Sequence, residues 1–287
     1  MKLNVTLAVP SAIATIAFAG IGATAADAAS RHTVYVMPSR VVAAHVMRPR
    51  TPFHYDTGGQ LQWYGGPVQH VPKNYIVFWH FTSDPSGEEA YIQNFTSGLG
   101  GSSWMNIVTQ YYDSVGNIQN PTGQLAGVWS DSSALPRRIT QSTLSTEANR
   151  AAAHFGTHSL DANFIVATPH GHSQSGFGTQ WCAYHSYNGS VAWTYMPYMT
   201  DAGYNCGENA VNPGSQGILD GVSIVGGHEI AETQTDPEPN TGWNGPGGEI
   251  GDECAWQGLG DISLSTGTFA AQPLWSNANY GCVLHYP

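Results

Sequence analysis

The order of apolar runs and helix-forming segments constrains the fold of this 287-residue chain more than any other feature. Residues 75–79 form a β-branched and aromatic run typical of a buried strand, and residues 86–99 predict a helix. Residues 140–155 predict a second helix, and residues 163–168 predict a second buried strand. This alternation favours an α/β (α+β) domain with a mixed sheet over an all-β sandwich.

A third predicted helix, residues 218–235, carries the sequence His-Glu-Ile-Ala-Glu at residues 228–232. His228 and Glu232 are four residues apart and therefore point the same way from a helix, with Glu229 beside them. This spacing predicts a zincin-like active-site helix, in which two side chains bind zinc and a glutamate acts as the base. The usual zincin pattern has a second histidine at the position of Glu232.

Acidic residues are concentrated in and after this helix. Five of the nine glutamates and two aspartates fall between residues 229 and 253, namely Glu229, Glu232, Glu238, Glu249, Glu253, Asp236 and Asp252. A bound cation would relieve their mutual repulsion, which favours a metal site. A polar network without metal, in which Glu232 pairs with His228 or with an arginine, is the alternative. Asp236 is either a further ligand or, with Pro237, the helix stop.

The N-terminal residues predict export. Residues 1–28 resemble a secretory signal peptide, with Lys2 before an apolar run and small residues at a cleavage site near Ala28. A membrane helix is disfavoured because Pro10 interrupts the run and no basic stop-transfer cluster follows it. We expect a secreted protein without a membrane segment, in which a flexible leader or pro-segment, 29–67, precedes a single domain, 68–287.

Charge composition excludes one class of partner. The formal net charge is -11, and Lys73 is the only lysine outside the predicted signal peptide. Since no basic run remains to neutralise phosphates, a nucleic acid is not an expected partner.

The chain contains four cysteines, which in an exported protein predict disulfides. Three pairings are possible, and we expect nearest neighbours to pair, Cys182 with Cys206 and Cys254 with Cys282. Because no C-x-x-C occurs, a zinc site made of cysteines is not predicted.

Two motifs resemble the signature of the Exordium / phosphate-induced protein family. They are residues 221–232, which end in the His-Glu-Ile-Ala-Glu sequence, and residues 249–254, Glu-Ile-Gly-Asp-Glu-Cys. The likeness extends more loosely to residues 75–112 and 163–185. It implies that the glutamate at 232 is a family feature and that the loop from residue 249 belongs to the same site. Family members are secreted or cell-wall-associated proteins linked to growth regulation in plants.

The resulting hypothesis is a secreted zinc metallopeptidase-like hydrolase that acts on a peptide or protein. His228 and Glu232 supply two ligands for zinc or another divalent cation, and Glu249 or Asp252 supplies a third. Glu229 takes a proton from the attacking water. His185, held near the predicted Cys182 bridge, is the candidate second histidine. An acidic ligand set is expected to make bound water less acidic than three neutral histidines do.

The alternative hypothesis is a non-catalytic binding or signalling protein at the cell envelope, in which the metal only holds the acidic loop against the helix. Trp193, Tyr195 and Trp243 would then be candidates for stacking on the sugar rings of a glycan, although in a chain with nine tryptophans most are expected in the core. The sequence His170-Gly171-His172, which follows a predicted strand, is a second place where a metal or a substrate could bind, although histidines in such loops are often merely exposed.

Overall fold

The computed structural model describes residues 36–41 and 60–287, so the predicted signal peptide lies outside the described residues. The strands in chain order are β1 (Val36–Pro38), β2 (Gln62–Trp63), β3 (Lys73–Trp79), β4 (Leu125–Asp131), β5 (Ala162–Ala167), β6 (Trp181–Tyr187), β7 (Ala192–Met196), β8 (Trp243–Asn244), β9 (Gly260–Leu264), β10 (Gly267–Ala271), β11 (Leu274–Ser276) and β12 (Gly281–Val283). The helices are α1 (Glu88–Leu99), α2 (Gln141–Phe155) and α3 (Asp220–Thr235). Short 3-10 helices include Met105–Gln110, Met199–Asp201 and Asp252–Cys254.

A six-stranded mixed sheet in the order β1-β6-β7-β5-β3-β4 forms the centre of the fold. Strands β7, β5, β3 and β4 run parallel, and β6 and β1 add antiparallel pairs at one edge. Helix α2 packs on one face, and helices α1 and α3 pack on the other, with an apolar core on each side. The predicted class, mixed α and β with a mixed sheet, is confirmed.

Local sequence signals account for the ends of the helices. The Asp84 carboxylate accepts hydrogen bonds from the backbone N–H groups of Glu88 and Glu89, two of the unpaired donors in the first turn of α1. Helix α2 begins at a capping box between Thr140 and Thr143 and ends at Gly156, whose φ of 69° favours glycine. These interactions fix where α1 begins and where α2 begins and ends, within two residues of the predicted limits.

Helix α3 is buried along its whole length, from Asp220 to Thr235. The sheet lies on one side of it, while α1 and the β9–β10 hairpin lie on the other, and the hydroxyl of Ser223 donates to the carbonyl of Ala270 in that hairpin at 2.6 Å. Small residues allow this packing: a Cβ on Gly227 would stand 3.0 Å from the ring of Trp104. A helix enclosed on all sides cannot leave its polar side chains to water.

The described parts of the predicted leader pack on the domain. Strand β1 pairs with β6, and Met37 is buried in the core. Leu61 is also buried in that core, next to β2, which pairs with β8. These short stretches therefore pack on the folded domain through Met37 and Leu61, while Val41 and Tyr64 are exposed.

Both predicted disulfides are present, Cys182–Cys206 and Cys254–Cys282. The first ties β6 to the 3-10 helix Gly203–Cys206, and the second ties the 3-10 helix Asp252–Cys254 to β12. In the part of the chain that the structure describes, no helix has both the length and the apolar character needed to cross a bilayer.

Candidate metal centre

Helix α3 places three ionisable side chains beside one another inside the protein. His228 and Glu229 are fully buried, and Glu232 is 1% exposed. The imidazole Nε2 of His228 lies 2.9 Å from Oε1 of Glu232, as the four-residue spacing predicts. Although the two atoms are close, their orientation does not satisfy hydrogen-bond geometry. Nε2 of His228 therefore has no hydrogen-bond partner among the described residues. The two side chains form a close pair of opposite charge when both are ionised.

Strand β6 contributes the second imidazole from the facing sheet. Alternation along the strand turns Tyr184 toward the α2 side and His185 toward α3. Nδ1 of His185 lies 3.3 Å from Oε2 of Glu229 and 3.6 Å from Oε2 of Glu232. Nε2 of His185 lies 3.4 Å from Oε1 of Glu249. The imidazole of His185 thus lies between the carboxylates of α3 and the carboxylate of Glu249.

The loop between β8 and β9 closes the cluster with two further carboxylates. Glu249 is fully buried, and Oδ1 of Asp252 lies 3.7 Å from Nε2 of His228. The backbone N–H of Asp252 also donates to Oε1 of Glu232 at 3.0 Å. All six predicted site residues, namely His185, His228, Glu229, Glu232, Glu249 and Asp252, therefore belong to one buried cluster.

Two residues that sequence reasoning missed hold this loop in place. A Cβ on Gly251 would stand 2.6 Å from Nδ1 of His228 and 2.9 Å from Oε1 of Glu232, so only glycine allows the loop to approach this closely. The side-chain amide of Gln272 donates to the carbonyl of Gly251 at 2.8 Å. A glycine between two acids was the available signal for the first residue, whereas Gln272 gives no local signal.

Two groups of three side chains in this cluster have one potential ligand atom each within 4.8 Å of the others: His185, Glu232 and Glu249, and His228, Glu229 and Glu232. Buried atoms without a hydrogen-bond partner among the described residues include Nδ1 and Nε2 of His228, Oε1 of Glu229 and both oxygens of Glu249. Such orphaned groups cost free energy unless a cation or a proton satisfies them.

The electrostatics of the cluster show the same deficit of positive charge. Burial raises the pKa of Asp252 to about 8, and the nearby Glu232 carboxylate adds to the shift. Burial also raises the pKa of Glu249 well above its usual range. Four carboxylates and two imidazolium groups would leave a net charge of -2 even if all six were ionised. Protons or a divalent cation must supply the balance.

The histidines and Glu232 are stabilised in their charged forms. Burial alone lowers the pKa of His228, but the adjacent Glu232 carboxylate outweighs it and raises that pKa to about 10. Burial likewise opposes the charge on Glu232, yet His228 and His185 hold its pKa at about 2. A metal would have to displace the protons that the imidazoles bind.

The structure assigns Asp236 to the helix stop. Its carboxylate accepts hydrogen bonds from the backbone N–H groups of Asn240 and Gly242, at 2.8 and 2.7 Å, and from the amide of Asn244 at 2.6 Å. Its oxygens are thus used in holding the turn after α3. The carboxylate of Glu253 is likewise occupied, by the backbone N–H of Gly247.

The sequence His170-Gly171-His172 lies at the end of β5 and outside the cluster described above. His170 pairs with Asp201, whose carboxylate also accepts from the backbone N–H of Gly171 at 2.7 Å. The suggestion that aromatic residues stack on sugars is wrong for the three side chains considered. Trp193, Tyr195 and Trp243 are buried, since they are 1%, 0% and 6% exposed.

Comparison of the chain with protein-family models, with curated proteins and with solved structures found no match. The resemblance to the Exordium family accordingly rests on the sequence motifs and the looser likeness around them.

Proposed function

We propose that this protein is a secreted metalloprotein in which a divalent cation, with zinc as the first candidate, binds in the buried cluster. The observation that carries the proposal is the set of orphaned ligand atoms on His228, Glu229 and Glu249. In a tetrahedral zinc site with bonds near 2.0–2.1 Å, ligand atoms lie about 3.4 Å apart. Nδ1 of His185 lies 3.3 and 3.6 Å from carboxylate oxygens of Glu229 and Glu232, which is close to that value.

The chemistry of the donors supports zinc over calcium or magnesium. Calcium and magnesium prefer oxygen ligands throughout, whereas zinc binds imidazole nitrogen together with carboxylate oxygen. His228 and Glu232 would provide the ligands from the helix, and His185, Glu249 and Asp252 are the candidates to complete the set. The two disulfides and the predicted signal peptide support export.

Burial supports a structural role for the ion. Catalytic zinc sites keep one position open to water or substrate, whereas structural sites are closed. Every candidate ligand except Asp252 is at most 1% exposed, and the side chain of Asp252 is 10% exposed. A closed site fits an ion that fastens the loop from residue 249 to α3 and β6, as in the non-catalytic Exordium-type alternative.

Hydrolysis is the second candidate, and Glu229 favours it. Oε1 of Glu229 has no hydrogen-bond partner among the described residues, and burial raises the pKa of this carboxyl. A bound cation would polarise a substrate carbonyl. Glu229 would accept the proton of the attacking water and return it to the leaving amine. Such a reaction requires that a peptide reach the buried cluster, and residues 246–247 are the exposed residues nearest to Glu249 in the sequence.

Elemental analysis of the purified protein tests the metal site. We expect about one zinc ion per chain, and a Glu232→Gln variant should bind zinc at least about tenfold more weakly because it loses an anionic ligand. Glu89→Gln, which removes a carboxylate from the partly exposed surface of α1, is the matched control and should bind normally. Absence of stoichiometric metal from the wild type after incubation with zinc would overturn the proposal.

A peptide-library digest separates the two roles. If the ion is structural, zinc-loaded wild type cleaves no peptide, and zinc protects the fold equally in wild type and Glu229→Gln. If the protein is a hydrolase, the wild type cleaves and Glu229→Gln loses that cleavage while it still binds zinc.

A further inference from the structure

A cleft outside the metal centre lies at the carboxyl ends of the parallel strands. It has a volume of about 680 Å³ and lies between residues 136–140, which follow β4, and residues 171–175, which follow β5. Strand β3 is located between β4 and β5 in the sheet, so the two loops flank its end. In open sheets of this kind, ligands bind in the crevice outside the carboxyl ends of the strands. We call this region the arginine cleft.

The charge of the arginine cleft contrasts with the rest of the protein. Arg137 and Arg138 are both exposed, adjacent and part of the cleft lining. Among the described residues, no carboxylate forms an ion pair with either of them. Arg150 differs, since it pairs with Asp131 at 2.7 Å and with Glu147 at 2.6 Å. In a chain with net charge -11, two neighbouring unpaired cations attract anions to this one place.

The opposite wall offers hydrogen-bonding groups on an anchored loop. The carbonyl of His172 accepts from the hydroxyl of Thr168 at 2.7 Å, and the backbone N–H of Gln174 donates to the hydroxyl of Tyr195 at 3.2 Å. Nδ1 of His172 lies 3.1 Å from the carbonyl of His170 and must donate to it, because a carbonyl only accepts. Buried partners thus hold this loop in place before any ligand arrives, which reduces the entropy lost on binding.

The lining also contains small polar groups. Ser173 and Ser175 contribute hydroxyls, and Thr140 lies at the N-terminus of the 15-residue helix α2, which carries partial positive charge. A guanidinium group presents a fork of N–H donors that matches the paired oxygens of carboxylate, sulfate or phosphate. The volume exceeds what a single inorganic ion needs and suits a small organic molecule.

We propose that the arginine cleft binds a small organic anion, of the size of a sugar acid, through its oxyanion group. Arg137 and Arg138 bind the oxyanion, and the Ser173–Ser175 loop and Thr140 hydrogen-bond the polar remainder. This site is independent of the metal centre, so either proposal can fail without the other.

Isothermal titration at low ionic strength tests the proposal with three probes: glucuronate, inorganic phosphate and sulfate. We expect millimolar or tighter binding of glucuronate to the full protein. Arg137→Gln and Arg138→Gln should each weaken it by about tenfold, the loss expected for one charge-assisted hydrogen bond. Tighter binding of glucuronate than of phosphate or sulfate supports recognition of the whole organic anion. Equal binding of all three would overturn the assignment to an organic anion, because the oxyanion alone would then account for recognition.

Lys73→Gln is the matched control. Lys73 lies at the opposite end of the sheet, where its ammonium group donates to the carbonyl of Gly123, and its loss removes the same charge. This variant should bind glucuronate like the wild type. Equal weakening by Lys73→Gln would show that only net charge matters, and unchanged binding by both arginine variants, or no binding of any probe to the wild type, would also overturn the proposal.

Discussion

At the scale of single residues, the geometry of the candidate metal centre depends partly on helical spacing and partly on contacts between residues that are far apart in the sequence. The relation of His228 to Glu232 follows from helical spacing and was predictable from the sequence. The contact of His185 with Glu229 and Glu249 depends on the register of β6 against β7, in which His185 pairs with Thr194. It also depends on where α3 crosses the sheet. A local pattern does not encode such a crossing.

Gly251 provides a test of how tightly the loop must approach the helix. Its φ of -82° suits any residue, so an alanine would be excluded only by its Cβ, which would collide with His228 and Glu232. We expect Gly251→Ala to lower the free energy of unfolding by about 1–3 kcal/mol and to weaken zinc binding. Urea unfolding with and without zinc measures both. Gly116→Ala, whose Cβ would find its nearest neighbour at 3.9 Å, should change neither.

Zinc binding should release protons. At pH 7 the raised pKa values mean that His228, at about 10, and Asp252, at about 8, hold protons in the metal-free protein. A ligand must give up its proton, so zinc affinity should rise as pH rises. Titration calorimetry in buffers of different ionisation enthalpy counts the protons released. A count of zero at pH 7 would contradict the involvement of these two residues.

At the scale of secondary-structure elements, the N-terminus of α1 contains a buried acid that is separate from the candidate metal centre. The carboxylate of Glu88 accepts from the backbone N–H groups of Met199 and Thr200, at 2.9 and 2.8 Å. It thereby connects α1 to the 3-10 helix after β7. Burial nevertheless raises the pKa of Glu88 from 4.5 to about 7.

This raised pKa predicts a pH-dependent contribution to stability. The contribution is fully present below the unfolded pKa of 4.5 and is lost as pH rises through about 7. As Glu88 ionises, the free energy of unfolding should fall by up to about 3 kcal/mol. Glu88→Gln should remove this part of the dependence of the unfolding free energy on pH. Urea unfolding at several pH values measures it, and the partly exposed Glu89→Gln is the control. Identical slopes for wild type and Glu88→Gln would refute the assignment.

The helices and strands were predictable where the sequence carries a capping residue or a continuous apolar run. Thr140 and Gly156 bound α2, and the run at residues 75–79 lies within β3. Strand β4 was missed because it lies at the sheet edge, where partly buried residues alternate with exposed ones around Gly127. The short hairpin strands after residue 260 were missed because each depends on packing against α3 or its neighbours and carries little periodicity of its own.

At the scale of the whole molecule, the two disulfides connect the candidate metal centre to distant parts of the chain. Cys254 lies two residues after Asp252 and joins the acidic loop to β12. Cys182 lies in β6, three residues before His185, where the sheet already restrains the backbone. Both pairings agree with the nearest-neighbour expectation from the sequence, although sequence alone leaves the three possible pairings open.

Removal of these bridges should therefore have different effects on the candidate metal centre. The double variant Cys254→Ser/Cys282→Ser opens a loop with a sequence separation of 28 residues and should cost about 3–4 kcal/mol of unfolding free energy. It should also weaken zinc binding, because it frees the loop that carries Glu249 and Asp252. Cys182→Ser/Cys206→Ser should cost a similar free energy and leave zinc affinity closer to that of the wild type. Equal zinc affinities for the two double variants would contradict this difference.

The enclosure of α3 has a consequence for the exchange of its amide hydrogens with solvent. Because residues 220–235 are buried on every side, no local opening exposes their amides without breaking the packing of the sheet, α1 and the β9–β10 hairpin together. These amides should exchange only when the whole domain unfolds. Their exchange rates in deuterated water would then report global stability directly, and α3 would be the slowest-exchanging helix of the protein.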